Sequence, residues 1–136
     1  MSDFSEQQKQ LKIQQEIRKA EDKLVTDIQT ALEETSYGDL EESQFRNLVR
    51  VADTTDSIEV VKNFLLYQVG RGDKWGKGKN SLAQRIIDDI KKIKIVAEAI
   101  AKNAKTDDFN LIWLELTRRY LGYGSRYLVF KNKGNL

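Results

Sequence analysis

The sequence predicts an all-α protein, a compact bundle of about five helices, and three observations carry that expectation. Apolar residues recur at spacings of three and four over long segments. No segment alternates apolar and polar residues as a half-buried strand would. The chain of 136 residues also contains no proline, which suits a backbone that is helical nearly throughout. That length is read as one domain, residues 1–136, large enough to bury a real core.

The first helix is expected from about Glu6 to Glu34. Ile13, Ile17, Ala20, Leu24, Ile28 and Ala31 form a narrow apolar stripe along it. That stripe can pack on the domain's own helices or form a seam with another chain. Thr35 to Glu42, with Gly38, reads as a loop, and Ser43 can cap a second helix over Gln44 to Ala52. Asp56 and Glu59 make a capping arrangement for a third helix through Val69, with Gly70 as its left-handed cap. Ser81 and Gln84 form a capping box for a fourth, which should bury Leu82, Ile86, Ile90, Ile93, Ala97 and Ile100. Thr106 then caps the last helix, with Asp107 and Asp108 in its first turn. Ile112, Leu116, Tyr120, Tyr123, Tyr127 and Phe130 line one side of that helix.

Much chemistry is unexpected here. With no histidine or cysteine, zinc, haem and iron–sulfur centres lack their usual ligands, and His- or Cys-based catalysis lacks its groups. The pairs Glu33-Glu34, Glu41-Glu42, Asp88-Asp89 and Asp107-Asp108 are sequence neighbours, which do not face each other on a helix. Asp88 can instead pair with Lys92. Asp39, Glu41 and Glu42 offer carboxylates for magnesium, but that ion usually leans on substrate phosphates as well. Gly70, Gly72, Gly76 and Gly78 do not match a P-loop's spacing. An enzyme, a metal or a cofactor is therefore not expected. No apolar run approaches a membrane span, and Met1 to Gln10 is polar, so a cytoplasmic protein is expected.

The remaining signals are cationic and aromatic. Residues 1–60 carry 7 Lys and Arg against 14 Asp and Glu, a net of −7, and residues 61–136 carry 16 against 7, a net of +9. Such a split suggests a basic face for a polyanion and an acidic face turned elsewhere. Within Arg71 to Lys79 lie four cations, Gly72, Gly76, Gly78 and one indole. Arg71, Lys74, Lys77 and Lys79 could follow a phosphate backbone while Trp75 stacks on a base. A solvated loop, with Trp75 pinning it to the bundle, accounts for the same residues. Arg46 and Arg50 share a helix face, Lys62 sits on the third helix, and Arg119 and Arg126 share a face of the last, with Arg118 beside them. Gly122 and Gly124 interrupt that helix, through a close backbone approach, tight helix packing or a kink.

Taken in order, these pieces resemble the small subunit of type III CRISPR–Cas effector complexes, of the Csm kind. Ser43-Gln44-Phe45-Arg46-Asn47-Leu48 is similar to that family's capped helix with an early arginine. Leu66-Tyr67-Gln68-Val69-Gly70-Arg71 resembles its aromatic-x-x-Gly-Arg helix end, and Arg119-Tyr120-Leu121-Gly122-Tyr123 its aromatic last helix. The resemblance covers residue 43 to the end, roughly two thirds of the chain; residues 1–42, a helix and loop, lie outside it. It implies a non-catalytic, all-helical subunit of an antiviral defence complex, stacked in several copies. It also implies contacts with guide RNA and target RNA, with the backbone subunits and with the large signalling subunit. Arg46 and Arg71 fall on the matching positions. The stretch Gly72 to Lys79 is more basic and glycine-rich than the family's pattern, so its cations rest on their chemistry alone.

Two other classes remain open. One is a protein-interaction module built on the first helix, and the other is a small helical DNA-binding regulator, although no helix-turn-helix with a short glycine turn is evident.

Overall fold

The computed structural model describes residues 2–134 and 136, and side chains from Phe4 onward; Met1, part of the stretch read for a targeting signal, lies outside them, as does Asn135. Five helices follow one another: α1 Ser2–Glu34, α2 Glu42–Thr54, α3 Ile58–Arg71, α4 Leu82–Ala104 and α5 Phe109–Lys133. They form a compact all-α bundle. Among the described residues no strand forms, and Ser36 and Ser81 make an isolated parallel bridge. No described helix is long and apolar enough to cross a membrane.

α5 occupies the middle, packed against α1, α2 and α4, while α3 lies at the edge on α2 and α4. The sequence of α5 explains this position. Its buried residues (Ile112, Leu114, Leu116, Thr117, Tyr120, Leu121, Gly124 and Leu128) spread around the helix rather than along one side. A helix apolar on several sides must be covered on several sides. Gly124 sets how closely the neighbours approach, because an added Cβ would lie 2.6 Å from Ile28 Cγ1 and 2.7 Å from Phe45 Cζ. Here the glycine serves tight packing, and α5 runs unbroken through it. The stripe of α1 is consumed in the same way: Ile13, Ile17, Leu24, Ile28 and Ala31 are buried, with Ala20 packed beside them.

Several boundaries differ from the sequence expectation, each for a local reason. α1 begins at Ser2, four residues early. Glu41, not Ser43, caps α2, through a reciprocal box in which Gln44 bonds back to the Glu41 N–H. α3 is capped by Ser57, whose hydroxyl accepts from Val60 N–H at 3.4 Å, and not by Asp56. Its far end runs past Gly70 to Arg71 and stops at Gly72 with an extended φ of 173°, so no left-handed cap forms. Ser81 caps α4 as expected, and all six of that helix's named apolar residues are buried. The Gln84 amide, however, donates to Asp88 at 2.9 Å, completing neither the box nor an Asp88–Lys92 pair. Thr106 accepts from Asp108 N–H, and α5 starts only at Phe109.

Polar bonds tie α5 to the helices around it. Tyr120 donates to Asp89 at 2.7 Å inside the core, Tyr123 to Glu21 at 2.6 Å and Tyr127 to Glu33 at 2.6 Å. The two exterior bonds hold Glu21 and Glu33 below the usual carboxylate value, aided by Arg119 and Lys131, against partial desolvation. Asp89 is pushed the other way, because burial outweighs the bond from Tyr120. The signs of their pH effects are therefore opposite. Stability from Glu21 and Glu33 is present above the unfolded carboxylate value and is lost as pH falls through their lowered values. Stability from Asp89 is present below the unfolded value of about 3.8 and is lost as pH rises through its raised value. Tyr123→Phe with Tyr127→Phe should flatten the acid side of the melting-temperature profile. In Asp89→Asn, the melting temperature relative to wild type should be higher at pH 7 than at pH 3. Thermal unfolding followed by circular dichroism across that range checks both.

Candidate nucleic-acid interface

The basic loop after α3 is a constructed part of the fold. Gly38 N–H donates to the Asp73 and Lys74 carbonyls, at 3.1 Å each, Ser36 N–H donates to Asn80 O at 2.8 Å, and Leu82 N–H donates to Ser36 O at 3.2 Å. These bonds lay the loop along residues 36–40. Gly76 takes a positive φ of 78°, and a Cβ there would lie 2.1 Å from the Ser36 carbonyl oxygen, so glycine is required by the chain's own geometry. Trp75 is fully buried against Phe45, with ring centroids 5.4 Å apart. It is not a stacking platform for a base. Its ring fills the space between loop and bundle, because burying an indole contributes more than exposing it to solvent. Lys74 donates to the Asp39 carbonyl at 3.1 Å and sits 3.9 Å from Glu41. Lys77 and Lys79 are the loop's exposed cations, and neither has a carboxylate partner among the described residues; Asp73 is exposed beside them.

The split of charge between the two halves of the chain is answered in part inside the molecule. Lys74 pairs with Glu41, Arg85 with Glu34, Arg119 with Glu21, Lys131 with Glu33 and Lys133 with Glu42, each time a cation of the second half with an acid of the first. Attraction between the halves thus brings some opposite charges together, so these cations are not part of a purely basic face.

This pairing sorts the candidate residues. Arg118 is withdrawn from the surface set, since its guanidinium donates to the Ala52 and Thr55 carbonyls at 2.7 and 3.0 Å and so caps the end of α2. Arg119 is held between Glu115 and Glu21, which raise its pKa. Lys62 pairs with Glu59 one turn earlier at 3.4 Å. Arg46, Arg50, Arg71 and Arg126 are exposed. Arg50 bonds the neutral Asn47 at 3.3 Å, Arg71 lies 5.5 Å from the Tyr67 ring centroid, and Arg126 lies 6.0 Å from that of Tyr123. None of these four has a carboxylate partner among the described residues.

Two recesses collect some of these groups. Arg71 and Lys74 meet Gln44 and Gln68 around a recess of about 200 Å³ backed by Trp75. A groove of about 420 Å³ runs between α2 and α5, lined by Val49 and Asp53 on one wall and by Arg118, Gly122 and Arg126 on the other. The structure therefore does not bring all the predicted cations onto one surface. Asp39, Glu41 and Glu42 do not assemble as ligands for an ion, and no described group of three or more acidic side chains does. Sequence reasoning missed Gln44 and Gln68 because neutral amides carry no charge signal. Comparison with protein-family models, curated proteins and solved structures finds no match to this chain.

Trp75→Ala should cost about 3–5 kcal/mol of stability, the range for emptying a large aromatic site in a core. Urea unfolding measures it, and a loss under ~0.5 kcal/mol, the size of an ordinary surface change, would contradict the anchoring role.

Proposed function

We propose that the protein is a non-catalytic, RNA-binding subunit of an RNA-guided effector complex, of the type III CRISPR–Cas small-subunit kind. In this reading it holds the guide–target duplex by its backbone, since base pairing reads the sequence and the protein needs only shape and charge. The other subunits and further copies of the chain are its protein neighbours. The observation that supports it is that, of the candidate cations, Arg46, Arg50, Arg71, Arg126, Lys77 and Lys79 are exposed and keep no carboxylate partner among the described residues. A cation already bonded to a carboxylate must break that pair to meet a phosphate, whereas these can turn to one directly. Two of them, Arg46 and Arg71, stand at the positions that carry the family resemblance.

One observation favours a second reading, a protein-interaction module. The first turns of α1 precede its buried stripe and expose Phe4 (62 %) and Leu11 (64 %). The same feature suits a subunit of a larger assembly, so it does not displace the first reading.

Arg46→Ala and Arg71→Ala should each weaken binding to duplex RNA, and each should lower the slope of log affinity against log salt by about 0.7–0.9. Lys102→Ala, at the last turn of α4, should change neither. Melting temperatures of all three should stay close to wild type, because Arg71 lies over Tyr67 rather than on the carbonyls ending α3. Filter binding over a salt series provides the measurement. Absence of any salt-dependent RNA shift would favour the interaction module, and equal affinity for duplex DNA would favour a regulator.

A further inference from the structure

α5 carries two glycines in mid-helix, each costing about 1 kcal/mol relative to alanine, and packing accounts for one of them. Gly124 is explained by Ile28 and Phe45. At Gly122 an added Cβ would meet no atom within 4 Å beyond the helix's own neighbouring backbone. Its φ is not positive, and α5 is continuous across it. Neither packing, nor a break in the helix, nor a positive φ requires glycine at this position.

Gly122 faces the α2–α5 groove. Glu115, Arg118, Gly122 and Arg126 recur along α5 at spacings of 3, 4 and 4, one stripe with a bare gap between two arginines. The helices forming the groove run antiparallel: Arg118 bonds Ala52 and Thr55 at one end, and Lys133 pairs with Glu42 at 3.0 Å at the other. Charge is therefore distributed along the groove. Asp53, Glu115 and the Arg118 cap lie towards one end. Arg46 and Arg50 lie on the flank of α2 beside Val49 and Asp53, and the antiparallel run brings them towards Gly122 and Arg126. Arg126 lines that second end, exposed and without a carboxylate partner among the described residues, and Arg46 and Arg50, likewise exposed and unpaired, stand on α2 outside the groove's own lining.

We infer that the Gly122 end of the α2–α5 groove is where an RNA backbone approaches the protein most closely, with Arg126, Arg46 and Arg50 as its phosphate contacts. The inference rests on the RNA-binding reading above and locates it on α5. The missing side chain lets a sugar–phosphate strand reach the helix surface, and the cations around the gap neutralise it. An acidic peptide would be drawn by the same charge, and the test separates the two.

Gly122→Ala, Gly122→Leu and Arg126→Ala are compared with wild type by filter binding to a short RNA duplex over a salt series, and by thermal unfolding. Gly122→Ala should melt no lower than wild type, because the helix gains a better former and nothing obstructs the methyl group. Gly122→Leu should weaken RNA binding by about tenfold with an unchanged salt slope, as steric exclusion releases no counterions. Arg126→Ala should lower the slope by about 0.7–0.9. Wild-type affinity in Gly122→Leu, with Arg71→Ala still weakened, would overturn the groove assignment and leave RNA binding in place; an acidic peptide occupant gives that result. A lower melting temperature in Gly122→Ala would also overturn it, by giving the glycine a role in packing. No RNA binding by wild type would remove both readings.

Discussion

The bundle depends on the burial of α5. A helix with apolar residues on several sides cannot lie on a surface, so α1, α2 and α4 close around it, and the absent side chain of Gly124 lets Ile28 and Phe45 come into contact. Phe45 in turn supports Trp75, which holds the loop between α3 and α4. Packing thus propagates from one crowded glycine to a loop far away in sequence. The polar bonds of Tyr120, Tyr123 and Tyr127 then fix the rotation of α5 against its neighbours.

Electrostatics shapes the surface by subtraction. A chain with acidic and basic halves folds so that many opposite charges meet, and individual exposed pairs contribute little, about 0–1 kcal/mol each. Their larger effect is on recognition, because every internal pair removes a cation from those free to meet a polyanion. The free set is smaller than the composition suggests; among the described residues it includes lysines along α4 as well as the candidate cations on α2, the end of α3, the loop tip and the groove side of α5.

The elements were legible in the sequence wherever one periodicity dominated. α4 buries every residue of its expected stripe, and the stripe of α1 likewise turns inward. α5 was legible only in part, because Leu114, Leu121 and Leu128 lie off the side marked by Ile112, Leu116 and Tyr120. Caps were misplaced by one or two residues where several polar side chains compete, as at Glu41 against Ser43 and Ser57 against Asp56. The candidate site was harder to read. The run Arg71 to Lys79 has the composition of a nucleic-acid loop, yet Trp75 and Gly76 answer to Phe45 and to the Ser36 carbonyl. Such contacts join residues roughly thirty to forty positions apart, and no local pattern encodes them.

The join between residues 36–40 and 73–82 also bears on the order of folding. Helices form from near neighbours within about a microsecond, whereas a contact such as Asn80 to Ser36, 44 residues apart, requires the intervening chain to close first. α2 and α3 lie inside that closed segment. The loop's arrangement therefore needs those two helices and the start of α4 in register, as the bonds from Tyr123 to Glu21 and Tyr127 to Glu33 need still longer segments closed. A partially folded chain would carry the same lysines at 77 and 79 without a fixed arrangement. Display of those charges is thus a property of the folded chain and not of the segment that carries them.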